Sequence, residues 1–241
     1  MKRIIFAIVF IFITNANLAQ YHVSIKKNDG SLVEISTSDI SRMAFYPECP
    51  GTPTVSYAGK TYHTVYIGTQ CWLKENLDIG TMINSTTNQT NNGTIEKYCY
   101  GNLESNCTTD GGLYQKDEAV QYNDAAGAQG ICPSGWHIPT DGQFEALMTA
   151  VSNDGNALKA VGQGTGSGAG TNTSGFSALL AGNRYYYSGS FYDRGKYAYF
   201  QSSSYYTHTQ SREMQLYYLN NSIEIKLVNY QNGYSVRCLK N

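Results

Sequence analysis

The sequence predicts an α+β domain of short strands, about two helices and many loops, preceded by a small β unit. Three observations carry that expectation. Apolar residues alternate with polar ones over short stretches that end in Gly, Asn or Asp, as half-buried strands and turns do. One segment, 140–151, carries a full helical period of apolar side chains. The chain also has 24 Gly in 241 residues, which sets a high turn density. With 41% hydrophobic and 13% aromatic residues it can bury a core, so it does not have a disordered composition. Seventeen Lys and Arg against 18 Asp and Glu leave a net charge of −1, which argues against a nucleic-acid partner.

Residues 1–19 read as a secretory signal peptide. Lys2 and Arg3 precede ten unbroken apolar residues from Ile4 to Ile13, and the small residues Ala16 and Ala19 follow, with cleavage expected after Ala19. The apolar run is far shorter than the ~20 residues of a membrane-spanning helix. No other stretch approaches that length, so no transmembrane segment is expected in the mature chain. The first cysteine is Cys49, which does not support a lipid anchor near the cut. The protein is expected to be exported, to the extracellular space or the cell surface, with the periplasm the other destination open to it. Residues 20–47 read as the small β unit. Val23 and Ile25 alternate, Asn28-Asp29-Gly30 supplies a tight turn, Val33 and Ile35 alternate on the return, and Ser38-Asp39-Ile40 leads to Met43, Ala44 and Phe45. Residues 48–54 read as a linker, and 55–241 as the main domain.

Within the main domain, Thr61 to Ile67 alternates and stops at Gly68, a strand. Residues 84–94 carry no apolar side chain and read as an exposed loop. Residues 162–175 hold six Gly, lack a phosphate-cradling pattern, and read as a flexible surface loop. A short helix is expected from Asp117 to Tyr122. The clearer one starts at Thr140, where Thr140 and Gln143 form a capping box, and Phe144, Leu147, Met148 and Val151 follow at helical spacing.

Six cysteines in an exported chain point to disulfides, and Cys99 and Cys107 bracket what reads as a short polar loop, CYGNLESNC, which favours a local bridge between them and leaves the other pairings open. The four His (His22, His63, His137, His208) are scattered, and no CxxC or HxxxH spacing occurs. Neither a metal nor a cofactor is therefore expected. No GxSxG elbow occurs. Asp117 and Glu118 are a carboxylate pair of the kind glycoside hydrolysis uses, but adjacent acids at a helix start are more often a dipole-favoured first turn. No enzymatic activity is expected.

Four ordered stretches, IGTQCWLKENLDIGTMI (67–83), EKYCYGNLESNC with GGLYQKDEAVQY (96–122), GICPSGWHIPTDGQFEAL (130–147) and GYSVRCLKN (233–241), resemble the Fibrobacter succinogenes major paralogous domain. That family comprises secreted or surface-attached bacterial proteins, and the resemblance runs from about Val55 to the C-terminus. It implies a C-type-lectin-like fold of the kind formylglycine-generating enzymes use. WHIPTDGQFE resembles their helix start and GYSVRC their closing strand. The resemblance also implies disulfides Cys49–Cys71, Cys99–Cys107 and Cys132–Cys238. Trp72 and Trp136, inside the motifs, are expected in the core, with Glu75 and Asn76 as structural hydrogen-bonding groups. Two positions depart from the family. Lys116 stands where many relatives carry Trp, and Phe200-Gln201-Ser202-Ser203 where they read FWSS. The copper chemistry of the related oxidases would need free thiols, and the implied disulfide takes Cys238, the one cysteine in the last hundred residues. The calcium-site motifs of sugar-binding lectins do not occur.

Tyrosine remains. Twelve of the 21 Tyr lie from 185 to 234, among Ser, Gly and Asn and without Trp, the composition of adaptable binding loops. Alternation assigns Tyr197, Tyr199 and Tyr234 to half-buried strand positions. Runs such as Tyr185-Tyr186-Tyr187 and Tyr205-Tyr206 cannot all point inward. The expected binding residues are Tyr185, Tyr186, Tyr187, Tyr192, Tyr205, Tyr206, Tyr217 and Tyr218, and the expected partner is a surface protein or a glycan. Lectin-like domains also serve as targets of diversity-generating retroelements, which vary exposed C-terminal loops, and the resemblance makes this chain a candidate. The other roles open to it are a structural cell-surface or matrix component without a specific ligand and, ranked third, an orphan enzyme.

Overall fold

Alternation at Val23, Ile25, Val33 and Ile35 builds an antiparallel pair, β1 (His22–Lys26) and β2 (Leu32–Ser36), with Val23 opposite Ile35 and Ile25 opposite Val33. The computed structural model describes residues 22–26, 31–36, 46–207 and 209–241. The expected signal peptide, the turn at 28–30 and the stretch from Ser38 to Phe45 lie outside the described residues. The chain divides into two units, Met1–Phe45 and Tyr46–Asn241. Residues 48–54, expected as a linker, are part of the second unit, where Cys49 is buried and its Sγ is bonded to Cys71.

The second unit begins with a meander of β3 (Thr54–Tyr57), β4 (Lys60–Ile67) and β5 (Gln70–Leu73). A short parallel pair follows, β6 (Thr81–Met82) with β7 (Glu96–Lys97). Next come α1 (Glu104–Asp110), β8 (Leu113–Tyr114), α2 (Lys116–Ala119), β9 (Trp136–His137), α3 (Asp141–Ala150) and α4 (Gly155–Leu158). Among the described residues from Asn183 onward every regular element is a strand: β10 (Asn183–Arg184), β11 (Phe191–Tyr192), β12 (Tyr197–Thr207), β13 (Gln210–Tyr217), β14 (Ile223–Asn229), β15 (Tyr234–Ser235) and β16 (Leu239–Lys240). One five-stranded sheet has the order β14-β13-β12-β15-β8 and the other β3-β4-β5-β16-β9. Many strands and few, short helices make this a mixed α+β domain. Among the described residues no helix is long and apolar enough to cross a membrane.

Period-2 alternation divides the core in two. Trp72, Val65 and Leu239 face a cluster with Phe144, Leu147, Phe176, Phe200 and Leu216. Their neighbours Cys71, Leu73 and Cys238 face another with Leu77, Tyr114, Ile131 and Ile138. Both tryptophans are buried, and the Trp72 ring stacks on Phe144 at 5.7 Å. α3 starts on the expected capping box: Gln143 N donates to Thr140 Oγ1 (3.3 Å) and Thr140 N to Gln143 Oε1 (2.8 Å). Phe144 and Leu147 are buried, while Met148 and Val151 are half-buried against the same cluster. Asn76 and Glu75 bind backbone as expected, Asn76 Nδ2 donating to Asp110 O (2.8 Å) and Glu75 Oε2 accepting from His63 N (2.8 Å).

Four expectations need correction. The helix expected from Asp117 to Tyr122 is the single turn α2, because Gln121 and Tyr122 adopt positive φ (53° and 58°) and leave the helical path. The span between Cys99 and Cys107 is not simply a polar loop, since α1 carries Cys107 on its buried side. The loop 84–94 is only partly exposed: Arg184 Nη2 donates to Ser85 O (2.7 Å), and Gln115 N donates to Gln89 Oε1 (2.7 Å), which holds Ser85 and Gln89 in the interior. The Gly-rich loop 162–175 is packed rather than loose. It wraps the buried Lys159, whose Nζ donates to the carbonyls of Gly168 (2.5 Å), Tyr217 (2.7 Å) and Asn220 (2.8 Å). A Cβ at Gly168 would collide with the Tyr218 carbonyl, so only glycine allows this approach.

All three disulfides implied by the resemblance are present: Cys49–Cys71, Cys99–Cys107 and Cys132–Cys238. They suit an oxidising compartment outside the cytoplasm.

Candidate functional site

The C-terminal tyrosines fall into three groups, each set by local strand geometry. In β12, Ala198 and Phe200 point into the core while Tyr197 and Tyr199 take the opposite face, half-buried as their alternation predicts. Tyr217 sits directly across the ladder from Tyr197, with ring centroids 4.6 Å apart, and Tyr218 meets Tyr217 edge-on at 4.9 Å. Tyr199 contacts the ring of Tyr234, which is buried.

The second group belongs to the β10–β11 hairpin. Tyr185, Tyr186 and Tyr187 lie in its connection and Tyr192 in β11, and Tyr185 contacts both Tyr186 (5.1 Å) and Tyr192 (6.1 Å). Tyr187 is 84% exposed, and Tyr185 and Tyr192 are also exposed. This hairpin is tied to the sheet. Tyr186 N donates to Asn232 Oδ1 (3.0 Å), Asn232 Nδ2 donates to the Tyr234 hydroxyl (2.8 Å), and the Tyr199 hydroxyl donates to Asp193 just after β11 (3.0 Å).

The third group occupies the far end of β12. Two register shifts against β13, between Gln201 and Tyr205 and between Tyr205 and Thr207, interrupt the alternation there. Consecutive Tyr205 and Tyr206 therefore line one cleft, which a regular strand would forbid. The cleft encloses about 660 Å³ and is walled by Asp117, Tyr122, Asp124, Tyr205, Tyr206 and Tyr230. The Tyr205 hydroxyl donates to Asp117 Oδ1 (2.6 Å). Burial, then the bond to Asp117, then the charge of Asp124 push the Tyr205 hydroxyl pKa up. Lys116 lies beneath, fully buried, its Nζ 4.5 Å from the Tyr205 ring centroid and donating to the Ser202 carbonyl. Burial pulls Lys116 down to about 7, against the opposing pull of Asp141, Asp117 and Asp124.

The adjacent acids Asp117 and Glu118 part company. Asp117 faces the cleft, while Glu118 is buried and accepts from Glu96 N (2.9 Å) and the Tyr122 hydroxyl (2.9 Å). Sequence reasoning placed Tyr122 only at the end of a helix, missed Asp124, and counted Tyr230 among the C-terminal Tyr without placing it in the site. Those residues meet only through the bulged strand end, for which no local signal exists. A second cleft of about 580 Å³ is bordered by Lys60, Lys74, Glu75, Asp78 and Asp110, and its three carboxylates are all paired. Asp78 pairs with Lys60 and Lys97, Glu75 with His63, and Asp110 with Arg194.

Fold and surface together define a disulfide-stapled α+β domain that presents tyrosine-rich ground at several points of its C-terminal third. Residues 65–240 match the family model of the Fibrobacter succinogenes major domain, and the chain belongs to that family. No curated protein and no solved structure matches it.

Proposed function

We propose that the protein is an exported, non-enzymatic recognition or adhesion domain that binds a protein or glycan through its tyrosine-rich C-terminal third. The grouping of exposed rings carries this reading. Tyr185, Tyr187, Tyr192 and Tyr206 are exposed yet each belongs to an aromatic cluster or a cleft wall, not to scattered surface positions. Tyr supplies large contact area with few torsions to freeze and keeps a polar tip, which suits protein surfaces and sugar faces alike. Export is supported by the apolar leader and by three disulfides. A C-type-lectin-like arrangement is supported by the capped α3 following Pro139 and by the C-terminal stretch, which supplies β15 to one sheet and β16 to the other.

Variation by a diversity-generating retroelement fits the same surface, because the span 184–231 includes the hairpin connection and the end of β12. A neighbouring reverse transcriptase and a near-copy of those codons would support it, and finding neither would remove it. The binding role is tested by a glycan array and a pull-down with surface proteins, using wild type and the Tyr185/Tyr186/Tyr205/Tyr206→Ala variant. A variant that folds normally should lose at least one partner by about 30-fold, the weight of a central aromatic contact. Retention of every partner at wild-type strength would refute the tyrosine surface, and an absence of any partner would favour a purely structural role.

A further inference from the structure

The cleft at the end of β12 differs electrostatically from the other large cleft. Among the described residues neither Asp117 nor Asp124 has an ion pair, although both line this cleft and Asp117 accepts from the Tyr205 hydroxyl. The nearby cations are engaged elsewhere. Lys116 Nζ is fully buried and bound to the Ser202 carbonyl, and Arg212 stacks over Tyr206 while pairing with Asp141 (3.4 Å). Among the described residues the cleft thus presents two carboxylates among four tyrosine rings, with no basic residue in its wall.

We infer that this cleft receives a basic side chain of a partner protein, an arginine guanidinium or lysine ammonium, held between the tyrosine rings and against Asp117 and Asp124. The inference rests on the recognition role proposed above and specifies the chemistry of one of its surfaces. A cation is attracted by both carboxylates and gains from the ring faces, whereas a neutral sugar gains only from the latter. The Tyr206 ring already shows the preference, since the Arg212 guanidinium lies over its face. A divalent metal is less well served. Among the described residues no group of three or more His, Cys, Asp or Glu gathers anywhere, while calcium takes six to eight oxygens.

The test is an NMR titration of the mature chain, following the ring signals of Tyr205 and Tyr206. The probes are a short Gly/Ser peptide with one arginine, the same peptide with neutral citrulline, calcium chloride alone, and a neutral oligosaccharide. The arginine peptide should shift both rings and bind about tenfold tighter than the citrulline peptide. Asp124→Asn, at an exposed position, should abolish that discrimination while leaving thermal unfolding unchanged, and added salt should weaken binding. Equal binding of the two peptides, or no shift with either, overturns the inference. So does calcium alone reproducing the shifts, or oligosaccharide binding that ignores Asp124→Asn. If the inference fails while partner binding remains sensitive to the tyrosine substitutions, the recognition role stands. If neither effect is found, both fall.

Discussion

Arg237 and Glu213 are both buried charged side chains, and the fold treats them in opposite ways. The Arg237 guanidinium donates to Asn76 Oδ1 (2.8 and 3.2 Å), to the Leu73 carbonyl (3.2 Å) and to the Phe176 carbonyl (2.5 Å), and it lies against the Phe176 and Phe200 rings. Burial presses it down to about 9, so it stays charged at neutral pH, stabilised by oriented carbonyl oxygens in place of a counter-ion. Glu213 is equally buried, but both its carboxylate oxygens lack a hydrogen-bond partner. Lys226, its ladder neighbour on β14, turns its ammonium to Glu224 instead (2.9 Å). Burial raises the Glu213 carboxyl well above the ordinary range. The folded state therefore keeps a proton that the unfolded chain releases, and stability falls as pH rises from the unfolded value toward the folded one. Glu213→Gln should be more stable than wild type by roughly 1–3 kcal/mol at pH 7.5, and the gain should vanish near pH 4. Urea unfolding at the two pH values checks this, and an equal difference at both would show the carboxyl to be ionised and paired. In the sequence Glu213 reads as an ordinary outward polar residue of an alternating strand. Its burial depends on what covers that face, which alternation does not encode.

Among the elements, α3 was the most legible because its whole specification is local. The cap, the first-turn acid and the apolar spacing all lie within residues 140–151, and the tertiary packing of Phe144 and Leu147 agrees with them. Removing the Thr140 hydroxyl deprives the Gln143 N–H of its capping oxygen without altering that packing. Thr140→Ala should accordingly cost about 1 kcal/mol in chemical denaturation, with little change in the slope against denaturant. The shorter helices were misjudged because they have too few residues for a period. α2 ends where the chain takes left-handed turns, and α1 is anchored by a disulfide to Cys99. The bulged end of β12 was likewise invisible. Tyr205 and Tyr206 were picked out because adjacent tyrosines cannot both point inward, but Asp117 and Asp124 join them through a register shift that only pairing with β13 produces.

Over the whole second unit, the closing segment from β15 to β16 runs from one five-stranded sheet to the other, and the two have no strand in common. Tyr234 and Ser235 pair beside β12 and β8, Val236 and Arg237 cross through the core, and Leu239 pairs with both Trp72 and His137. Cys238 lies within that crossing, bonded to Cys132 with a sequence separation of 106, against 22 for Cys49–Cys71 and 8 for Cys99–Cys107. Loop closure in the unfolded chain favours the longest link, by roughly 5 kcal/mol against roughly 2.5 kcal/mol for the shortest. All four sulfurs involved are buried, so replacing either pair with Ala also leaves small cavities, and that cost is similar for both. The difference between the two double variants therefore isolates the topological contribution. Cys132→Ala/Cys238→Ala should lose more stability than Cys99→Ala/Cys107→Ala by about 2 kcal/mol in urea unfolding. Hydrogen exchange should separate them further. The first pair should speed exchange in β15, β16 and their neighbours β12 and β5 together, because the strand that links the sheets has lost its covalent anchor. The second should speed it mainly around α1. Equal losses with the same exchange pattern would mean that burial of Arg237 and its carbonyl cage, not the disulfide, holds the two sheets in register.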